Sequence, residues 1–257
     1  VDRLVAAYDQ QKGLDVAPVS NEPLVFICGM FRSGSTLLEQ MLGSHPDLTA
    51  GGEIDFFQRG APLDAIAAPG GPEGWQRLGA GYLDYLREAF GTLAVTNKRP
   101  DNFLYLGLLH QLFPNARFLH TRRQPADNCL SVFFQQLDGG FPYANDLLDV
   151  GHYLEQQQRL MDAWGERFGD RIHPVDYERL VTAPRDTLLP TLQFLDLPWD
   201  EHCLDYRRLE NRVRTASVAQ VREPLHRRSC GRWRNYARQL QPLLDYLDGE
   251  SEADGAG

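Results

Sequence analysis

The stretch on which the fold turns is Leu24-Val-Phe-Ile-Cys28 followed by Gly29-Met-Phe-Arg-Ser-Gly-Ser-Thr36. An apolar run of strand length feeds a glycine-bounded loop, and Thr36-Leu-Leu-Glu-Gln-Met-Leu42 continues at helical spacing. A strand, a tight loop and a helix N-terminus make a phosphate cradle, because first-turn N–H groups have no partner within the helix and the helix dipole favours an anion there. The frame is Gly-x4-Gly-Ser-Thr, that of a nucleotide P-loop with Ser35 standing where the lysine belongs. The nearest cation is Arg32, inside the loop. Such a loop suits a phosphate but lacks the group that reaches the β- and γ-phosphates of ATP.

Working outward, the apolar patterning predicts strands over Leu24 to Cys28, Leu48 to Ala50, Leu93 to Thr96, Ala116 to Thr121 and Ile172 to Val175. Helical spacing predicts helices to Leu42 and over Trp75 to Phe90, Phe103 to Leu112, Pro125 to Leu137, Leu147 to Phe168, Pro184 to Leu195 and Arg232 to Leu247. This alternation implies an α/β fold, with a P-loop-like central parallel sheet flanked by helices on both faces. Ligands of such sheets bind beyond the strand C-termini. Gly29 to Thr36, Lys98, Arg122-Arg123 and Tyr177 all fall there. Residues 1–22 read as a lead-in from an upstream region, 23–247 as one domain, and 248–257 as an acidic unstructured tail. The chain opens Val-Asp rather than with Met, which reads as a fragment.

The 257 residues are 42% hydrophobic and 24% charged, as in a globular protein with a substantial core. No apolar run reaches membrane-span length and no secretory signal pattern is visible, so a cytoplasmic protein without a membrane partner is expected. Of the net charge of −9, the segment Asp245 to Gly257 carries −5, leaving −4 for the rest. An acidic body argues against nucleic-acid binding. A polyanionic ligand would instead meet local arginine, at Arg122-Arg123 or in the basic run Arg222 to Arg238. Only Lys12 and Lys98 are lysine among 26 basic residues, a bias of GC-rich, bacterial type. Lys98 therefore stands out, since arginine supplies positive charge elsewhere. The four cysteines and seven histidines have no zinc spacing, so reduced cysteines and no metal are expected.

At these residues the sequence resembles the sulfotransferases that use 3′-phosphoadenosine 5′-phosphosulfate (PAPS). It is most similar to the bacterial branch that follows tetratricopeptide repeats and is related to the protein-tyrosine sulfotransferases. The likeness runs from about residue 23 to 240. The family's Pro-Arg-Ser-Gly-Thr-Thr-Leu loop stands here as Phe31-Arg-Ser-Gly-Ser-Thr-Leu37, with Phe31 and Ser35 as departures. It implies that Arg32, Ser33, Gly34, Ser35 and Thr36 hold the 5′-phosphosulfate. Arg123, with Ser131 eight residues on, matches the family's 3′-phosphate site. His45-Pro-Asp-x4-Gly-Glu53 matches the element whose glutamate is the general base. Asn97-Lys98 matches the pair whose lysine contacts the transferring sulfuryl group. Asp176-Tyr177-Glu178-x-Leu180 brings Tyr177 toward the nucleotide. Ser217 takes the place of the serine that faces the reacting group, and Arg232 that of the basic residue closing over the 3′-phosphate. His45 reads as closing its helix, and Trp233 as packing.

The resemblance implies transfer of a sulfuryl group from PAPS to a hydroxyl acceptor, with release of adenosine 3′,5′-bisphosphate (PAP). Glu53, Lys98, Arg32 and Ser217 would be catalytic. Glycans, peptide tyrosine and small alcohols or phenols are open as acceptors, contacted by Phe56 to Phe90 and Phe134 to Asp149. Upstream tetratricopeptide repeats or a homodimer are compatible with it. Two rivals remain: a P-loop kinase or NTPase, disfavoured by Ser35, and a non-catalytic nucleotide- or polyanion-binding module, disfavoured by Glu53 and Lys98 together. Whether Arg122 joins Arg123 is left open by the sequence.

Overall fold

Val25–Gly29 (β1) lies fully buried at the centre of a five-stranded sheet. The structure is a computed structural model and describes residues 1–11, 17–61, 63, 72–135, 141–206 and 227–253. The other strands are Thr49–Ala50 (β2), Val95–Lys98 (β3), Arg117–Arg122 (β4) and Ile172–Asp176 (β5), in the order β2-β3-β1-β4-β5. All pairings are parallel. The chain passes from β1 out to one edge, returns through β3, and crosses over β1 to β4. The strand order therefore reverses around β1, where an open α/β sheet forms its ligand crevice.

Burial on both faces explains the unbroken apolar run of β1. Phe26 stacks on Tyr82 and Phe118, with ring centroids 6.0 and 5.7 Å away. That face is covered by Pro72–Phe90 (α4), Leu106–Leu112 (α5) and Leu147–Phe168 (α7), through Leu86, Leu109 and Trp164. Val25 and Ile27 belong to the opposite cluster, with Leu38 and Met41 of Ser35–Leu42 (α2), Leu180 of Tyr177–Thr182 (α8) and Leu188 of Pro184–Phe194 (α9). A third cluster joins Pro125–Phe133 (α6), the start of α7, and Gln241–Ala253 (α10). Phe56–Gly60 (α3) follows β2.

Several boundaries differ from the sequence reading. β3 includes Asn97 and Lys98, because both are fully buried beside β1 and pair with Phe26 and Ile27. Phe103 to Leu112 is broken into a 3-10 turn, Pro100–Leu104, and a shorter helix. The helix expected over Arg232 to Leu247 is also split: Arg232–Tyr236 is a 3-10 turn, and α10 begins at Gln241 with Pro242 in its first turn. The tail read as unstructured is helical as far as Ala253; residues 254–257 lie outside the described ones. The lead-in holds Asp2–Gln11 (α1), which is docked on the body: Tyr8 meets Trp164 edge-on at 5.3 Å, and Arg167 donates to both oxygens of Asp9 at 3.0 and 2.8 Å.

Candidate active site

The loop between β1 and α2 owes its course to three left-handed residues, Gly29 (φ 146°), Arg32 (φ 66°) and Gly34 (φ 101°). A Cβ on Gly34 would lie 2.6 Å from Cδ2 of Tyr177, so glycine lets that ring lie against the loop. Arg32 has no such freedom, and a side chain held in the left-handed region marks a loop over-determined by its surroundings. Those surroundings are identifiable. Asn128 Nδ2 donates to the Phe31 carbonyl at 2.6 Å, and Arg123 Nη1 donates to the Arg32 carbonyl at 3.0 Å. Phe31, in place of proline, packs edge-on against Phe141 at 4.7 Å. Ser33 is buried, its hydroxyl 2.6 Å from both the Met30 carbonyl and Thr121 Oγ1, and its N–H donates back to Met30. Ser33 thus shapes the loop. Ser35 and Thr36 form the first turn of α2.

Two guanidinium groups meet beside this loop. Arg123, just past the end of β4, lies with its guanidinium carbon 4.7 Å from the centroid of Tyr177 and donates to the Ser229 carbonyl at 2.8 Å. Its buried Nε has no hydrogen-bond partner among the described residues. Arg32 Nε donates to Ser131 Oγ at 3.4 Å. Burial, then the charge of Arg123, pull the Arg32 pKa below the ordinary arginine value. Two like charges held together in a partly dry cleft repel, and an anion bound there would relieve that repulsion. Arg32, Arg123, Ser131, Gly34 and Tyr177 therefore lie together beside the loop. Arg122 does not join them: it is exposed and pairs with Asp176 at 2.9 Å across the β4–β5 rim.

On the other side of the loop, Lys98 closes β3 with no exposed surface, and its Nζ lies 2.6 Å from Oε1 of Glu53. The Glu53 side chain is 35% exposed, so the pair has one dry and one accessible end. Behind it lies Glu39 of α2, 1% exposed. Its Oε1 accepts from the Gly52 N–H at 2.9 Å and from the Thr96 hydroxyl at 2.8 Å. Burial pushes the Glu39 pKa up; the Lys98 ammonium pulls against this and the Glu53 charge adds to it.

The loop, the paired arginines and the buried lysine on its carboxylate all lie within the stretch that matches a known family. The model of the Sulfotransferase family matches residues 23–201. The chain belongs to the sulfotransferase family. It is 33% identical over 242 residues to an uncharacterized protein of Aquifex aeolicus, covering 87% of this chain and 32% of that one. It is 28% identical over 217 residues to protein-tyrosine sulfotransferase 1 of Danio rerio, covering 77% and 60%. The chain thus spans about a third and three fifths of these relatives' lengths. The sulfotransferase domain from the Synechococcus PCC 7002 olefin synthase shares the fold, with a TM-score of 0.64 at 23% identity over 84% of this chain and 88% of that one.

Ser217 and Arg222 lie outside the described residues. Arg232 is exposed, its guanidinium 5.1 Å from the ring centre of Phe134, three residues beyond Ser131. His45 is structural: Nδ1 accepts from the Asp47 N–H, which makes Nε2 the donor to the Pro198 carbonyl at 3.0 Å. The sequence reading missed Asp127 as well as Glu39. Asp127 is 1% exposed and accepts from the N–H groups of Gly231 and Trp233, which carries Ser229 to Arg232 onto the arginine cleft. Its signal, an acid in the first turn of a helix, was indistinguishable from ordinary dipole compensation. Among the described residues no cluster of His, Cys, Asp and Glu could hold a metal, and no helix is long and apolar enough to cross a membrane.

Proposed function

We propose that this chain transfers a sulfuryl group from PAPS to a hydroxyl acceptor and releases PAP. The observation that carries this is the pairing of Lys98 with Glu53 at 2.6 Å on one side of the phosphate loop, with Arg123 and Arg32 meeting on the other. PAPS supplies a sulfuryl group attached to a phosphate leaving group. The residues present fit it. The first turn of α2 and the loop would hold the 5′-phosphate. Arg123, whose buried Nε awaits an acceptor, would bind the 3′-phosphate with Ser131 and Arg232. Tyr177, fixed against Gly34 and under Arg123, would flank the nucleotide.

In the proposed reaction Glu53 takes the proton of the acceptor hydroxyl as that oxygen bonds to sulfur. The bond from sulfur to the phosphate oxygen breaks, and its electron pair leaves with PAP. Lys98 and Arg32, with Ser217, offset the charge on the sulfuryl and leaving oxygens. The acceptor would enter where Glu53 is exposed. A groove lined by Ile54, Asp55, Phe56, Arg59, Leu78 and Tyr85 begins at the residue after Glu53, and from Phe56 onward its lining falls in the segment expected to contact the acceptor. The similarity to protein-tyrosine sulfotransferases supports a phenolic hydroxyl as one acceptor class, beside glycans and small alcohols. The reading places the protein in the cytoplasm, where PAPS and reduced cysteines would both be available.

The test is calorimetric binding of PAP and adenosine 5′-monophosphate without divalent metal and of ATP with Mg²⁺, followed by an acceptor screen with PAPS. PAP should bind more tightly than adenosine 5′-monophosphate and than ATP with Mg²⁺. Glu53→Gln should keep PAP affinity while turnover falls roughly 10²–10⁴-fold. Equal affinity for PAP and the monophosphate would overturn the nucleotide assignment.

A further inference from the structure

The reacting pair sits on a third group that the reaction does not use directly. Glu39 is fully buried in α2, and one of its carboxyl oxygens, Oε1, takes hydrogen bonds from two separate segments. Gly52 immediately precedes Glu53, and Thr96 lies two residues before Lys98. The Gly52 carbonyl in turn accepts from the Lys98 N–H at 2.9 Å, which closes a ring of contacts joining helix, base and lysine. The left-handed conformation of Gly52 (φ 72°) turns the chain at this point.

The charges of the cluster do not balance if every group is ionised. Lys98 faces two carboxyls, in a place where it has no exposed surface and Glu39 almost none; the Arg99 charge also reaches Glu53 but is matched by its own ion pair with Asp101. An unmatched charge so placed is expensive, and one proton on the more deeply buried acid removes it. Glu53 holds the 2.6 Å contact with the ammonium and has the accessible side. Glu39 is the acid whose pKa burial raises, and the charged groups acting on it are Lys98 from β3 and Glu53 from the segment after β2.

We propose that Glu39 is a positioning residue of the active centre: it fixes the Glu53 and Lys98 segments against α2 and holds the one resting proton of the cluster, leaving Glu53 as the carboxylate that accepts another. This rests on the assignment of Glu53 and Lys98 to the reaction. A merely structural Glu39 would serve equally well ionised. Here its neutrality leaves the Lys98 ammonium to Glu53 and, in the transfer, to the sulfuryl oxygens.

Infrared spectroscopy of the protein at neutral pH tests this without an acceptor. A carboxylic-acid carbonyl band is expected in the wild type and should vanish in Glu39→Gln, whose amide oxygen can still accept from Gly52 and Thr96. In Glu53→Gln, Glu39 alone faces Lys98 and should ionise, so the band should also be lost. The midpoint of thermal unfolding supplies a second reading. A carboxyl with a raised folded pKa stabilises the fold below the unfolded pKa, and that contribution is lost as pH rises through the folded value. Glu39→Gln should therefore gain on the wild type as pH rises from acid toward neutral. A band that survives in Glu39→Gln, or is unchanged in Glu53→Gln, would overturn the proposal. Should Glu39→Gln not fold, the Glu53→Gln spectrum still decides. If the bands behave as stated while no acceptor is sulfated, the proton assignment stands and the transfer reading falls.

Discussion

Arg123 does three things with one guanidinium: it ties the loop through the Arg32 carbonyl, ties the Ser229 segment, and covers Tyr177, while its buried Nε stays unmatched. A hydrogen bond to a charged group contributes about 1.5–3 kcal/mol, so Arg123→Ala should weaken PAP by roughly that much. Calorimetry should show a smaller loss for adenosine 5′-monophosphate, because the 3′-phosphate is the group removed. Equal losses for both nucleotides would mean that Arg123 only shapes the loop. Lys98 makes the complementary case. It is one of two lysines in a chain otherwise using arginine, and it is completely enclosed at the end of β3. A broad guanidinium has no room there and would not reproduce a point charge. Lys98→Arg is expected to bind PAP normally and to lose at least about tenfold in kcat, since the contact strengthens in the transition state. Full activity in Lys98→Arg would reduce Lys98 to generic positive charge.

Among the elements, the 3-10 turn Arg232–Tyr236 depends most visibly on a single side chain. Asp127 of α6 accepts from the Gly231 and Trp233 N–H groups, and Gly231 takes the left-handed conformation that starts the turn (φ 70°). Asp127→Ala would leave two donors unmatched, at a cost of about 1–3 kcal/mol each if they stay buried. The segment should detach: PAP affinity should fall and proteolysis near Ser229 should quicken, whereas the Lys98–Glu53 side should be unaffected. Unchanged protease sensitivity would refute that coupling. The same contrast explains what the sequence made legible. The sheet could be read from the continuous apolar run of β1 and from the alternation of short apolar stretches with helices, and the loop because its glycines and its sequel at helical spacing are local. Tyr177–Thr182 was missed as a helix because it follows β5 with no intervening loop signal. Glu39 was missed because its partners Gly52 and Thr96 lie 13 and 57 residues away, a relation that no window of sequence contains.

At the scale of the whole molecule, the parallel sheet delivers Gly29, Lys98 and Arg122 to one edge, while burial disfavours the charged forms of Glu39 and His120 further back. The formal charge of −9 gives the body no general attraction for an anion, so binding depends on the local arginines. His120, next to Thr121 in β4, is 5% exposed and its Nε2 lies 3.0 Å from the Gln157 amide nitrogen, so the ring is the acceptor. Burial, with the Arg122 charge adding, depresses its pKa from 6.5 to about 4. The sign of the consequence follows. Above the unfolded pKa the imidazole is neutral in both states and costs nothing. As pH falls below it the unfolded chain takes up a proton that the folded one refuses, until the folded ring titrates near 4. At about 1.36 kcal/mol per unit, this lowers stability by about 3 kcal/mol across that window. His120→Gln keeps a polar partner for Gln157 and abolishes the titration. Urea unfolding at pH 7 and pH 4.5 should therefore show a markedly smaller acid-side loss in His120→Gln than in the wild type. The opposite trend predicted for Glu39 affects both proteins equally and cancels in that difference. Parallel losses in the two proteins would show that His120 is charged in the folded state, and that the core under β4 is wetter than the structure has it.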